Sequence, residues 1–166
     1  MPVRSLTPFA VAVLAFGVAC GAACSHADDH ATDAGAQPAE TAVSYCVGDP
    51  RAQTYAPGLE KAADGGAFKA KLLSIDPNPT ARGDNTWQLQ LLDKSGAPVD
   101  GATIKVKPFM PDHGHPSSIT PTVTATGGGK YSVLLNLFMP GLWQITFTVT
   151  AGATTDSIVY SFCVQT

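Results

Sequence analysis

Charge is scarce in this chain. Lys, Arg, Asp and Glu together make up 14% of its 166 residues, 10 basic against 13 acidic, and Lys and Arg nowhere form a run. Neutralising phosphates takes a basic face, so no nucleic-acid partner is expected. A membrane-spanning length of apolar sequence is missing too. The apolar run at residues 9–19 falls short of the ~20 residues a helix needs to cross a bilayer. The signatures of covalent and phosphoryl chemistry are absent. No serine stands in a Gly-x-Ser-x-Gly setting, no Gly-rich phosphate loop occurs, and Gly127, Gly128 and Gly129 fall where a hairpin is expected. Asp112 beside His113 is an acid–base pair without a nucleophile and reads as a local hydrogen bond. The expectation is a protein that is not an enzyme.

What is present at the N-terminus is an address. Arg4 supplies a positive n-region, residues 9–19 an apolar h-region, and small residues with a cysteine follow, as in a secretory signal. Gly17-Val-Ala-Cys20 and Gly21-Ala-Ala-Cys24 both resemble a lipoprotein box, in which the cysteine is acylated and becomes the new N-terminus. Both carry Gly where Leu is usual. Cys24 or Cys20 is the candidate lipidation site, and cleavage after Ala23 to release a soluble protein is the alternative. The reading is an exported protein of the cell envelope, facing the periplasm or the outside, whose only membrane contact is the lipid anchor. Residues 25–45 are rich in Ala, Asp, His, Gly and Pro without an apolar period, the composition of a flexible tether. His26 and His30 lie there and read as part of a solvated linker. Residues 46–166 are enough for one domain with one core.

With Cys20 and Cys24 at the processing site, the domain keeps Cys46 near its start and Cys163 near its end. In an oxidising compartment two such residues most often pair. Closing a loop of roughly 100 residues stabilises by up to about 4–5 kcal/mol in the chain-entropy model. Free thiols holding a metal are the alternative.

From Ala67 onward the sequence alternates. Trp87, Leu89 and Leu91 are apolar with Gln88 and Gln90 between them. Tyr131, Val133, Leu135 and Leu137 repeat the pattern, as do Trp143, Ile145, Phe147 and Val149. A period of two puts one face on a core and the other in water, and β-branched and aromatic residues suit such a surface. Turn signals at Asp76-Pro-Asn-Pro79, at residues 93–101, at Gly127-Gly-Gly129 and at Met139-Pro-Gly141 separate the runs. Seven strands with short connections predict two packed antiparallel sheets, an all-β immunoglobulin-like sandwich. Residues 48–66 read as an irregular lead-in, with a short helix over residues 59–63 as one option. With Ile158, Tyr160 and Phe162 facing the core, Cys163 points outward, and a bridge to Cys46 clips the lead-in onto the outer face of the last strand.

Beyond the signal the chain has two methionines, Met110 and Met139, and four histidines. Met110, His113 and His115 share one short segment, Phe109-Met-Pro-Asp-His-Gly-His-Pro116, and Met139 sits in Phe138-Met-Pro-Gly-Leu-Trp143. Thioether and imidazole suit copper, thioether favouring Cu(I). On an extended chain His-x-His sets two imidazoles on one side, about 6.6 Å apart at Cβ, while Gly114 lets the backbone turn so that the rings converge. The bland reading is a rigid turn whose methionine caps the core.

These residues also carry a resemblance. Asp93-Lys-Ser-Gly-Ala-Pro-Val-Asp-Gly-Ala102, Met110-Pro-Asp-His-Gly-His115, Gly129-Lys-Tyr131 and Met139-Pro-Gly-Leu-Trp143 resemble, in order, the YtkA-like domain family over roughly residues 68–150. The resemblance implies an immunoglobulin-like sandwich in exported bacterial proteins, often lipoproteins, similar to the periplasmic part of FixH-type proteins linked to copper-oxidase assembly. The family's Met-Pro-x-His-Gly-His falls on Met110, Pro111, His113, Gly114 and His115, and its Met-x-Gly-x-Trp on Met139, Gly141 and Trp143. Cys46 and Cys163 lie outside the shared region. Two functions are thus in view: a copper-binding envelope domain with Met110, His113, His115 and Met139 as ligands, or a metal-free interaction module that binds an envelope protein partner.

Overall fold

Period-two alternation builds nearly everything in the computed structural model, which describes residues 45–165. The expected signal, the expected tether up to residue 44, and with them Cys20, Cys24, His26 and His30, lie outside the described residues. The strands are β1 (Leu59–Ala62), β2 (Phe68–Asp76), β3 (Gly83–Asp93), β4 (Thr103–Met110), β5 (His115–Pro116), β6 (Thr122–Gly127), β7 (Lys130–Leu137), β8 (Gly141–Ala151) and β9 (Thr154–Val164). No described residue is helical. One sheet has the order β1-β2-β3-β7-β6 and the other β5-β4-β8-β9, with every strand pairing antiparallel. The two sheets form the expected immunoglobulin-like sandwich.

The seven expected runs are all strands, and the two additions are short. β5 is the return arm of a hairpin. β1 replaces the helix considered for residues 59–63. Leu-Glu-Lys-Ala is a helix-forming composition, but the open edge of β2 offers Leu59↔Leu72 through Ala62↔Lys69 as ladder partners. Tertiary pairing outweighs a propensity worth only tenths of a kcal/mol per residue.

The alternating apolar residues meet between the sheets. Trp87, Leu89, Leu91, Val133, Trp143, Ile145, Phe147, Val149, Ile158 and Tyr160 are fully buried. Trp87 lies 6.3 Å from Phe147 and meets Phe162 edge-on at 5.3 Å, a geometry that suits aromatic quadrupoles. The Tyr160 hydroxyl, inside this core, donates to the Ala70 carbonyl at 2.8 Å and lies 3.2 Å from that of Leu59. Burial pushes its pKa up, so it stays a donor.

The lead-in covers the free edge of β9, which would otherwise expose unpaired backbone groups. The Gln53 N–H donates to Ser161 O at 2.8 Å, the Ser161 N–H to Gln53 Oε1 at 2.9 Å, and the Asp64 N–H to Ser157 O at 2.9 Å. Cys46 and Cys163 form a disulfide across a sequence separation of 117, with Cα atoms 5.4 Å apart. Cys163 lies on the face of β9 opposite Phe162 and Val164, so the bridge clips the lead-in to the outside of that strand. The Asp156 carboxylate accepts from the N–H groups of Gly65 and Ser157, each at 2.8 Å, and of Ala67 at 3.0 Å, pinning the β1–β2 turn to β9. Those donors hold its pKa below the ordinary value. Asp93 is lowered in the same way, first by the Ser95 hydroxyl and then by the Ala97 N–H.

Removing the Tyr160 hydroxyl orphans carbonyls in the core. Tyr160→Phe is expected to cost about 0.5–1.5 kcal/mol in denaturant unfolding, and no change would mean the hydroxyl does not hold β1 and β2. Carboxyls with depressed folded pKa values contribute stability only while ionised. That contribution is complete above the ordinary Asp value near 3.9 and is lost as pH falls through the folded values. The melting temperature should therefore be flat from about pH 5 to 7 and fall below about pH 4, and a curve flat to pH 2 would contradict this assignment.

Candidate metal centre

β4 and β5 form a hairpin closed by Met110↔His115. Residues directly opposite in an antiparallel pair present their side chains on the same face, so Met110 and His115 point to the same side of the sheet. Residues 111–114 make the turn. The N–H groups of His113 and Gly114 both reach the Met110 carbonyl, at 3.2 and 2.8 Å, and Gly114 takes a φ of 71° that favours glycine. His-Gly-His is therefore not the extended chain on which the 6.6 Å spacing was reckoned. It is a tight turn, and its ring centroids stand 5.7 Å apart.

Antiparallel pairing places this turn beside a second one. Phe109 lies opposite Gln144, so the end of β4 adjoins the start of β8, where Phe138-Met139-Pro140 carries the chain from one sheet to the other. Ser117 secures the hairpin: its N–H donates to Pro108 O at 3.0 Å and its hydroxyl to Asn136 O on β7 at 2.9 Å. The second turn is held by Arg82 Nε donating to Phe138 O and by the Trp143 indole N–H donating to Met139 O, both at 2.9 Å. A chain of rings joins the two turns. His113 adjoins His115, His115 stacks on Phe138 at 5.7 Å, and Phe138 meets Trp143 edge-on at 5.6 Å.

All four predicted donors thus lie at one end of the sandwich. His113 is exposed, His115 and Met139 are half-buried, and Met110 is fully buried. The Met110 methyl lies under Gly141, where an added Cβ would stand 2.7 Å from it. Among the described residues, no group of three or more His, Cys, Asp or Glu side chains could hold a metal. Two observations fit an ion on the imidazoles. An imidazole nitrogen about 2 Å from an ion sets its ring centroid about 3 Å away, so two imidazoles on one ion stand roughly 5–6.5 Å apart. The 5.7 Å between His113 and His115 falls in that span. His115 Nδ1 lies 3.1 Å from the Pro116 carbonyl. A carbonyl only accepts, so Nδ1 is the donor in this contact, which makes Nε2 the ring nitrogen that can face an ion.

Asp112 departs from expectation. Its hydrogen bonds go to Arg51 and not to the adjacent His113: Nη1 donates to Oδ1 at 2.8 Å and Nη2 to Oδ2 at 2.9 Å. Hydrogen bonding to the guanidinium holds its carboxyl below the usual range. Arg51 lies 61 positions away in the lead-in, and nothing local in the sequence announces the contact.

Gly141 joins core and site. Its φ of 131° is one that L side chains rarely adopt, and a Cβ would displace the Met110 methyl. Gly141→Ala is expected to lower stability by about 1–3 kcal/mol in chemical denaturation. A variant as stable as the parent would show that the backbone at this turn does not hold the positive φ that disfavours a side chain.

Solved structures similar to this chain at low identity include two copper-bound variants and one protein as isolated. A copper-bound variant of FetP from uropathogenic Escherichia coli is 12% identical, covering 66% of this chain and 95% of that one, with a TM-score of 0.40. FetP as isolated is 13% identical over 68% and 97% of the two chains at 0.38. A copper-bound variant of P19 from Campylobacter jejuni is 13% identical over 66% and 96% at 0.40. No curated protein sequence matches. The YtkA-like family model matches residues 64–148, from the β1–β2 turn through most of β8 and across both turns of the candidate site. This chain belongs to the YtkA-like family.

Proposed function

We propose that this protein is a non-catalytic, copper-binding domain of the bacterial cell envelope, exported by its signal and tethered through an acylated cysteine. Met110, His113, His115 and Met139 are the proposed ligands. One observation carries the reading. The only two methionines and only two histidines among residues 45–165 sit on or beside two adjoining turns at one end of the sandwich, with His115 Nδ1 turned to the Pro116 carbonyl. Two thioethers and two imidazoles form a soft set that favours Cu(I) over harder cations. A copper ion bound there would supply storage or transfer of the metal. The chain's part is to orient the rings and keep the thioethers at the edge of the core.

A second reading is docking of an envelope protein partner on the β6 edge of the five-stranded sheet. It draws on β6, an exposed edge strand rich in threonine, and on Ile119 and Leu134, which are 51% and 47% exposed. An open edge can accept a partner strand.

Cu(I) titration of the purified protein against a competing chelator separates the two. The expected result is tight one-to-one binding that is lost in the His113→Ala/His115→Ala double variant. A free Cu(I) concentration 100-fold above the dissociation constant should stabilise the fold by about 2.7 kcal/mol. No binding by the parent, or equal binding by the double variant, would reject copper and leave the docking reading.

A further inference from the structure

We propose that Arg51 is a positioning and selectivity residue for the His113–His115 turn, a role that rests on the copper reading above. Its guanidinium spans two carboxylates. Nη1 and Nη2 donate to the two oxygens of Asp112 at 2.8 and 2.9 Å, while Nε lies 3.0 and 3.1 Å from the two oxygens of Asp49 and Nη2 lies 2.6 Å from Asp49 Oδ2. The rigid planar fork of arginine suits this two-sided grip, which the point charge of lysine does not reproduce.

The grip matters because of what lies on either side of it. Asp112, His113 and Gly114 are exposed, and the turn's own bonds are two N–H contacts to a single carbonyl, that of Met110. Those bonds tie the turn to β4 alone, and the Arg51 grip adds a tie to a segment outside the hairpin. The lead-in that carries Arg51 is anchored on both sides of it, by the Cys46–Cys163 disulfide and by the paired bonds of Gln53 to Ser161. Rigidity thus passes from β9 through the lead-in and Arg51 to Asp112, the residue next to His113.

The same contact occupies a competing ligand. A free Asp112 carboxylate beside His113 would offer a hard oxygen donor to any ion on the imidazoles. Paired with Arg51 through both oxygens, the carboxylate is a weaker donor to an ion, which tilts the set toward nitrogen and sulfur and favours Cu(I) over Zn(II). Arg51 therefore raises affinity for the soft ion and suppresses it for the harder one.

The experiment compares the parent, Arg51→Ala and Arg51→Ala/Asp112→Asn by Cu(I) and Zn(II) competition titrations. It also follows amide hydrogen exchange at His113 and Gly114 in the metal-free proteins. In Arg51→Ala, Cu(I) affinity should fall about three- to fivefold, the range of an exposed ion pair, and Zn(II) affinity should rise by a similar factor. Exchange at the two amides should quicken by a like factor while the melting temperature stays close to that of the parent. Neutralising Asp112 in the double variant should abolish the Zn(II) gain and leave the fast exchange. An unchanged Cu(I)-to-Zn(II) ratio together with unchanged exchange would overturn the proposal. If the parent binds neither ion, the copper reading fails by itself. Exchange then decides the clamp: faster in Arg51→Ala upholds the positioning role, and unchanged removes it.

Discussion

The buried indole of Trp143 donates its N–H to the carbonyl of Met139, and the end of the sandwich that carries the two turns is organised around that bond. Trp143 belongs to the core face of β8, the strand that pairs with both β4 and β9. Met139 belongs to the crossover that leaves β7 and enters the other sheet. A wholly buried N–H without a partner would cost roughly 1–3 kcal/mol, so burial of the ring and placement of the crossover are a single event. Gly141 between them must be glycine, because a side chain would strike Met110 and the backbone φ excludes one. The spacing Met-x-Gly-x-Trp is therefore a packing unit: a half-buried thioether, a gap that admits a second thioether from β4, and a ring that locks the turn.

Stability and chemistry meet at this end without competing. The core faces of β3, β7, β8 and β9 are dry and aromatic, and the ring chain from Trp143 through Phe138 and His115 to His113 grades from wholly buried to exposed. Each ring supports the next, so the half-buried histidine is oriented by stacking while the exposed one keeps access to solvent. Met110 lies beneath both turns and serves the core whether or not its sulfur meets an ion.

The lead-in is as much a part of the domain as the strands. It closes the edge of β9, carries the half-disulfide at Cys46 and delivers Arg51 to Asp112. The family match begins at residue 64, so this clamp is built largely from residues outside the matched region. A generic sandwich end thereby acquires a second wall around its exposed turn.

Read alone, the residues identified every long strand, because alternation is local: Trp87 with Leu89 and Leu91, or Trp143 with Ile145 and Phe147, declare their inward face without reference to any partner. The scarcity of methionine and histidine likewise pointed to Met110, His113, His115 and Met139 before their positions in space were known. Three things waited for the tertiary structure. Leu59–Ala62 became a strand because β2 had an unfilled edge, which its own composition does not report. The His113–His115 segment became a hairpin turn because β5 returns along β4. Asp112 met Arg51, 61 positions away, because the disulfide and the β9 edge direct the lead-in past that turn. Periodicity and residue chemistry are properties of a short stretch and can be read from it. Contacts between distant segments depend on the path of the whole chain, and only the packed fold decides them.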